Sequence, residues 1–214
     1  WSVTGVQTCA LPIYGFLIDD GVVARIDDTT FLCHTTTGGA DRIHAMMEEW
    51  LQTEWWDWKV YTANITEARA QIAVVGPKAR EVLDRLGGMD VSDDALPFMG
   101  WADGTLGGID VRIFRISFSG ELSFEVSMDA GDGMAFWQAC LDAGKDLSIM
   151  AYGTEALHVM RAEKGFIMIG DETDGTVIPQ DLGLDWAISK KKDDYLGKRA
   201  QARVHMADPD RWKL

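Results

Sequence analysis

Two patterns of hydrophobic residues predict the strands of this chain. One is regular alternation with polar residues, and the other is a stretch rich in apolar or β-branched residues. Residues 122–128 alternate most regularly, with Leu122, Phe124, Val126 and Met128 on one face and Glu125 in the middle of the other. This period of two is typical of a half-buried strand. Stretches rich in apolar or β-branched residues predict the remaining strands, at 15–26 with a polar interruption, 31–36, 59–65, 70–75, 109–118 and 186–188. Residues 93–108 are predicted to be mostly loop.

Apolar residues recur with helical spacing in four other segments. The predicted helices follow Gly38-Gly39, follow Gly76-Pro77 and end at Gly87, and span 134–141 and 154–164. Proline favours the first turn of a helix, and glycine favours the position after its last turn. Strands and helices are mixed without strict strand–helix alternation. The sequence therefore predicts an α+β fold with mixed or antiparallel sheets and packed helices.

Composition excludes several classes of protein. The net charge of -14 over 214 residues opposes general nucleic-acid binding, which needs a basic surface. No apolar stretch approaches the roughly 18 residues of a membrane span. Three separated cysteines without a CxxC pair, and histidines without metal-ligand spacing, oppose a disulfide scaffold and a metal site and favour the cytoplasm. The runs 190–192 and 198–199 are basic, and either bind a polyanionic ligand tail or form a solvated surface.

The two ends of the chain do not continue this pattern. Residues 1–13 contain VTGVQTCALPI, which resembles a translated sequencing adapter, and are predicted to be a non-native leader. Residues 14–200 are predicted to form the functional domain, without its N-terminal part. Residues 201–214 are predicted to begin a truncated C-terminal region.

Nucleophilic and phosphoryl-transfer motifs such as GxSxG and GxxxxGK[ST] are absent, so carboxylates are the candidate chemical groups. Asp19-Asp20 interrupts an apolar strand, and adjacent strand residues point to opposite faces. One of the two can therefore face a pocket, where apolar neighbours would raise its pKa and allow it to handle a proton. The alternative is a plain Asp-Asp-Gly turn.

Three further features have both a functional and a structural interpretation. Glu125 can accept paired hydrogen bonds from a planar ligand with adjacent N–H donors, or simply face solvent. The segment 35–39, where a strand becomes a helix, can bind a polar ligand, or Thr37 can cap the helix. The tryptophans at 50, 55, 56 and 58 can form a stacking wall, although packing in the core is the favoured interpretation.

Six segments in this order resemble the aminomethyltransferase, or glycine-cleavage T-protein, family. They are GFLIDDGVVARI, FLCHTTTGG, QIAVVGPKAREVL, RISFSGELSFEV, YGTEALHVMRAEKGF and DGTVIPQDLGLDWAISKKKDDYLGKR. The resemblance is strongest to the family's sarcosine-oxidase branch, in the C-terminal folate-binding half of the alpha subunit. It implies α+β modules around a tetrahydrofolate channel, in a fold truncated here at both ends, and other subunits of a heterotetrameric sarcosine oxidase as partners.

The resemblance also implies roles for individual residues. Asp20 matches the family's acidic residue near the reactive folate nitrogens, and Glu125 matches the glutamate that holds the pterin. Phe118 matches an aromatic residue, usually tyrosine, that lines the pocket. His34, Thr35 and Thr36 match a strand end that contacts the pterin through its backbone. Asp20 and Glu125 are thus expected to face one folate cavity, with no metal.

The departures from the family pattern direct the choice among its activities. Leu157 stands where T-proteins have an arginine, which favours the sarcosine-oxidase branch. Flavin- and NAD-binding parts are absent here and are expected elsewhere in the complex. Capture of the one-carbon unit from sarcosine as 5,10-methylenetetrahydrofolate is therefore the first hypothesis. The alternatives are a stand-alone aminomethyltransferase of glycine cleavage and a non-catalytic folate-binding protein.

Overall fold

The structure, a computed structural model, describes residues 14–188 and 191–208. The predicted leader 1–13, Lys190 of the basic run and residues 209–214 lie outside this part. The chain divides into two compact units. Residues 65–166 form the first, called here the sheet unit. Residues 14–64 and 167–208 of the described chain form the second, called here the hairpin unit.

The sheet unit is built on a four-stranded antiparallel sheet. Its strands are β3 (Arg69–Val75), β4 (Trp101–Leu106), β5 (Ile109–Phe114) and β6 (Ser123–Asp129), in the spatial order β3-β6-β5-β4. Its helices are α2 (Ala79–Leu86), α3 (Gly133–Ala143) and α4 (Thr154–Lys164). As the sequence predicted, α2 ends at Gly87, whose φ of 67° is readily adopted by glycine.

The core of the sheet unit lies on one face of the sheet, against α2 and α3. The alternation predicted for β6 is confirmed, because Phe124, Val126 and Met128 are all fully buried in this core. Val82 and Leu83 of α2 pack in the same cluster. Each such buried side chain contributes roughly 1.5–3 kcal/mol relative to an exposed one. This packing fixes β6 and, with it, the direction of the polar side chains on its other face.

The hairpin unit contains a short antiparallel pair and a long helix. Its elements are β1 (Val22–Arg25), β2 (Phe31–His34), α1 (Ala40–Thr53) and the short α5 (Lys198–Gln201). Leu17 packs with Ile167, Val177 and Leu184, and its N–H donates to the carbonyl of Val177 at 2.9 Å. The two distant segments of the unit are thereby joined. Together the units confirm the predicted α+β class.

Several predicted elements are wrong. Residues 59–65 form no strand, while β4 lies inside the segment 93–108 predicted as loop. Strand β5 ends at Phe114 instead of continuing to 118, and Asp185–Ala187 is a 3₁₀ turn instead of a strand. Short apolar runs carry no information on strand pairing, so a run without a partner reads the same as a paired one.

The tryptophan segment also differs from its favoured interpretation. Trp56 and Trp58 are exposed, so the prediction that they pack in the core is wrong. Trp55 and Trp58 stack with centroids 5.0 Å apart, and Trp50 lies 5.8 Å from Trp55 at a tilt. These rings therefore stabilise their own turn after α1. Among the described residues, no helix combines the length and hydrophobicity that a membrane span requires.

Candidate functional site

Glu125 occupies the middle of the sheet unit. It lies on β6 between Ala73 of β3 and Phe114 of β5, which are its direct cross-strand partners. Directly opposed residues of antiparallel strands project to the same face. A small neighbour on one side and a large aromatic neighbour on the other therefore flank a half-buried carboxylate.

Gln71 holds this carboxylate. Its side-chain amide donates a hydrogen bond to Oε2 of Glu125, the one hydrogen bond this carboxylate accepts within the described part of the chain. Burial raises the pKa of Glu125 to about 7. The pKa of Tyr152 is also raised, first by burial and then by the negative charge of Glu125. Glu125 is thus close to half-protonated at neutral pH, which is unusual for a glutamate.

A cleft of about 760 Å³ lies in the same unit. Its lining includes Gln71, which donates to Glu125, and Tyr152, whose pKa the charge of Glu125 helps to raise. Its volume is in the range of small-molecule sites. The lining is mostly apolar and includes Ala73, Val74, Trp137, Leu141, Leu147, Ile149, Met150, Leu157 and Met160. A largely apolar cleft next to one polar anchor suits a ligand that has an aromatic body and a polar edge.

The two adjacent aspartates of the hairpin unit have different surroundings. Asp19 is 2% exposed, and its carboxylate accepts hydrogen bonds from the backbone N–H groups of Asp20 and Thr36. It also accepts from the hydroxyl of Thr36, at 2.9 Å. Asp20 is only half-buried. The strand predicted over 15–26 is limited to Val22–Arg25, so the two aspartates lie outside it, and Asp19 is the one whose carboxylate binds backbone N–H groups.

The segment after β2 brings three of the predicted binding residues together. His34 ends β2, and Thr35 and Thr36 lead into a 3₁₀ turn, Thr37–Gly39, that precedes α1. The capping residue is Thr36 instead of Thr37, because the Thr36 hydroxyl accepts from the Gly39 N–H at 3.1 Å. Through Asp19, this segment is joined to the backbone of Asp20.

The remaining predicted residue, Phe118, lies in the loop between β5 and β6 and is half-buried. Phe118 and Glu125 belong to the sheet unit, whereas Asp20 and His34–Thr36 belong to the hairpin unit. The prediction that Asp20 and Glu125 face one ligand stays a prediction. No group of histidine, cysteine, aspartate and glutamate side chains able to hold a metal ion occurs among the described residues.

Sequence reasoning missed three residues that the structure connects to these sites. Gln71 and Tyr152 surround Glu125, and Asp19 connects Asp20 with Thr36. Gln71 lies in the predicted strand 70–75, but its partner depends on strand register. Tyr152 lies in irregular chain, where periodicity gives no signal. Asp19 was considered only as the neighbour of Asp20.

Comparison with known proteins gives consistent matches over most of the chain. The family described as "GCVT N-terminal domain" matches residues 6–192. The alpha subunit of sarcosine oxidase from Corynebacterium sp. (strain U-96) is 50% identical over 202 residues, which cover 94% of this chain and 21% of that protein. The corresponding subunit from Rhizobium meliloti is 41% identical over 94% of this chain and 20% of its own length. The chain thus spans about a fifth of these relatives.

More distant relatives carry the name aminomethyltransferase. The protein from Halothermothrix orenii is 32% identical over 64% of this chain and 38% of its own length. The crystal structure of the glycine cleavage system aminomethyltransferase T from Bartonella henselae matches with a TM-score of 0.75 at 24% identity, over 91% of this chain and 50% of that one. That likeness shows the fold. The chain belongs to the GCVT N-terminal domain family, in which it is similar to sarcosine oxidase alpha subunits.

Proposed function

We propose that this domain binds tetrahydrofolate and captures, as 5,10-methylenetetrahydrofolate, the one-carbon unit released when sarcosine is oxidised. The observation that carries the proposal is the environment of the Glu125 carboxylate. Gln71 donates a hydrogen bond to this carboxylate and also lines a largely apolar cleft. The identity of 50% to a sarcosine oxidase alpha subunit supports it independently.

The recognition step follows from the chemistry of the pterin edge. A reduced pterin presents a ring N–H and an exocyclic amino group side by side, and one carboxylate can accept from both. Such paired, charge-assisted bonds are stronger and more directional than neutral ones. Gln71 donates to one oxygen of Glu125 and fixes the plane of the carboxylate. Phe118, His34, Thr35 and Thr36 are proposed as further contacts, with the strand end acting through its backbone.

The transfer step needs an oxidation that takes place elsewhere. Sarcosine, as its free amine, would give one hydride, that is two electrons and a proton, to a flavin in other parts of a heterotetrameric sarcosine oxidase and become the iminium CH₂=NH⁺–CH₂–COO⁻. N5 of tetrahydrofolate attacks the iminium carbon, N10 closes the ring, and the C–N bond to glycine breaks. The protons of N5 and N10 leave with glycine as its ammonium group. This domain then contributes mainly by positioning.

We assign to Asp20 the stabilisation of the cationic intermediate or the movement of its proton. Asp20→Asn in the full-length protein is expected to leave the Kd for tetrahydrofolate within about twofold and to slow formaldehyde trapping about tenfold. A tenfold loss corresponds to roughly 1.4 kcal/mol of transition-state stabilisation. Formation of 5,10-methylenetetrahydrofolate from formaldehyde and tetrahydrofolate measures this rate.

The exposed Asp28 provides the matched control, since Asp28→Asn alters a surface carboxylate of the same unit that forms an ion pair with Arg25. Asp28→Asn is expected to trap at the parental rate. If Asp20→Asn traps formaldehyde at the parental rate, Asp20 takes no part in the reaction.

Binding is expected to depend on pH through Glu125. Only the ionised carboxylate accepts both N–H groups, and its pKa in the free protein is about 7. The Kd for tetrahydrofolate should therefore rise about tenfold for each pH unit below 7 and become constant above about 8. Titrations between pH 6 and 8.5 measure this, and the Glu125→Gln variant should lose the dependence. A flat profile in the parent protein would contradict ionisation of Glu125 on binding.

One observation separates this proposal from aminomethyl transfer in glycine cleavage. Leu157 lines the cleft at the position where T-proteins have an arginine. An apolar side chain there cannot pair with an anionic group as an arginine would. An aminomethyltransferase relative that is 32% identical over 64% of this chain keeps that activity as the second candidate. Folate binding without transfer would instead indicate a non-catalytic folate-binding protein. We propose the cytoplasm as the compartment in which this domain acts.

A further inference from the structure

The carboxylate of Asp19 accepts three hydrogen bonds at the candidate site of the hairpin unit. Its Oδ1 accepts from the N–H of Asp20 at 2.8 Å and from the N–H of Thr36 at 3.1 Å. Its Oδ2 accepts from the Thr36 hydroxyl at 2.9 Å. The residue is 2% exposed, so these bonds offset the cost of burying a polar group. Three donors from two separate segments therefore converge on one carboxylate.

The absence of a side chain at Gly39 leaves space for the carboxylate of Asp19. A Cβ atom on Gly39 would lie 1.8 Å from Oδ2 of Asp19 and 2.7 Å from Oγ1 of Thr36. Gly39 donates its N–H to the same Thr36 hydroxyl, at 3.1 Å. Hence a chain of hydrogen bonds runs from Gly39 to Thr36 and on to Asp19. Only glycine fits at position 39 while Asp19 keeps this place.

We propose that Asp19 is a positioning residue, which holds Asp20 and the Thr36 backbone in the geometry that the reaction requires. The inference rests on the proposed function, because that function assigns the chemistry to Asp20. The inference adds to that function a role for Asp19 and the Thr36 hydroxyl, which fix the positions of Asp20 and of the Thr36 backbone. Asp19 accepts bonds with both oxygens and is almost inaccessible, so it cannot itself reach a ligand.

The test compares Asp19→Asn, Thr36→Val and Thr36→Ser in the full-length protein. Asp19→Asn and Thr36→Val each disturb the bond between Oδ2 and the hydroxyl, whereas Thr36→Ser keeps it. The first two are expected to slow formaldehyde trapping on the order of 10-fold, since small displacements of reacting groups cost such factors. Thr36→Ser should trap formaldehyde faster than Thr36→Val, because it keeps the hydroxyl that donates to Asp19. The double variant Asp19→Asn/Thr36→Val should be no slower than either single one, because both changes remove one interaction.

Two outcomes would overturn the inference. One is parental trapping by both Asp19→Asn and Thr36→Val. The other is a large loss in Asp19→Asn with none in Thr36→Val, which would make Asp19 act directly. Amide hydrogen exchange at Asp20 and Thr36 separates this inference from the proposed function. Faster exchange in both disturbed variants is expected even if the parent protein traps no formaldehyde, and unchanged exchange would exclude a positioning role of Asp19.

Discussion

Glu125→Gln in the full-length protein is expected to weaken tetrahydrofolate binding by about 100-fold. The substitution keeps the shape of the side chain but replaces one accepting oxygen with an N–H₂ donor. That donor faces a ligand edge that also donates. Each lost charge-assisted hydrogen bond costs about 1.5–3 kcal/mol, and roughly 2.7 kcal/mol corresponds to 100-fold in Kd.

The position of Glu125 makes this effect larger than at an exposed site. The carboxylate lies in surroundings buried enough to raise its pKa to about 7. Water therefore competes poorly for the unpaired ligand donors after the substitution. Gln71→Leu should cost less, about tenfold, because it removes the residue that orients the carboxylate and leaves the carboxylate itself.

Isothermal titration with tetrahydrofolate at pH 8 measures both variants, because Glu125 is ionised there. Asp110→Asn is the matched control, since Asp110 is an exposed carboxylate on strand β5 of the same sheet. Its Kd should equal that of the parent protein. A parental Kd in Glu125→Gln would show that the pterin is held elsewhere.

Phe124→Ala is expected to destabilise the sheet unit by about 3–5 kcal/mol, the usual cost of truncating a fully buried phenylalanine. Phe124 precedes Glu125 on β6 and points into the core. The guanidinium groups of Arg80 and Arg115 also lie 5.0 and 5.1 Å from its ring centroid. The substitution thus leaves a cavity and removes two cation–π contacts from the strand that carries the candidate anchor.

Hydrogen exchange of the β6 amides measures this loss without requiring the whole protein to unfold in one step. Protection should fall by more than about 100-fold, the factor that roughly 3 kcal/mol gives. Phe98→Ala in the same unit is the control, because Phe98 is 69% exposed. Its effect should stay below about tenfold. Equal losses in the two variants would contradict the assignment of Phe124 to the core.

The alternation of residues 122–128 illustrates how much the sequence can predict. It placed Phe124, Val126 and Met128 on the buried face and Glu125 on the other, and the structure confirms this division. It also suggested a solvent-facing glutamate as the alternative. The alternation could not show that the polar face is buried too. Ser123 and Ser127 lie on that face with Glu125, and both are buried.

The Asp19-Asp20 pair shows the same limit. The two carboxylates differ in burial, as predicted, but β1 begins only at Val22, so strand alternation is not the reason. The identity of the buried one depended on Thr36, 17 residues away, and on the missing Cβ of Gly39. Local pattern contains no information about a partner so distant along the chain.

The sequence by itself determined the α+β class, the strand β6, the C-terminal end of α2, the limits of α4, and the family to which the chain belongs. These properties follow from periodicity, glycine and proline positions, and ordered motifs, which are all local. Only the tertiary structure decided that β4 exists, that Gln71 holds Glu125, and that Asp19 binds Thr36. The reason is physical: strand register and hydrogen-bond partners are set by contacts between segments distant in sequence, and burial depends on all of them together.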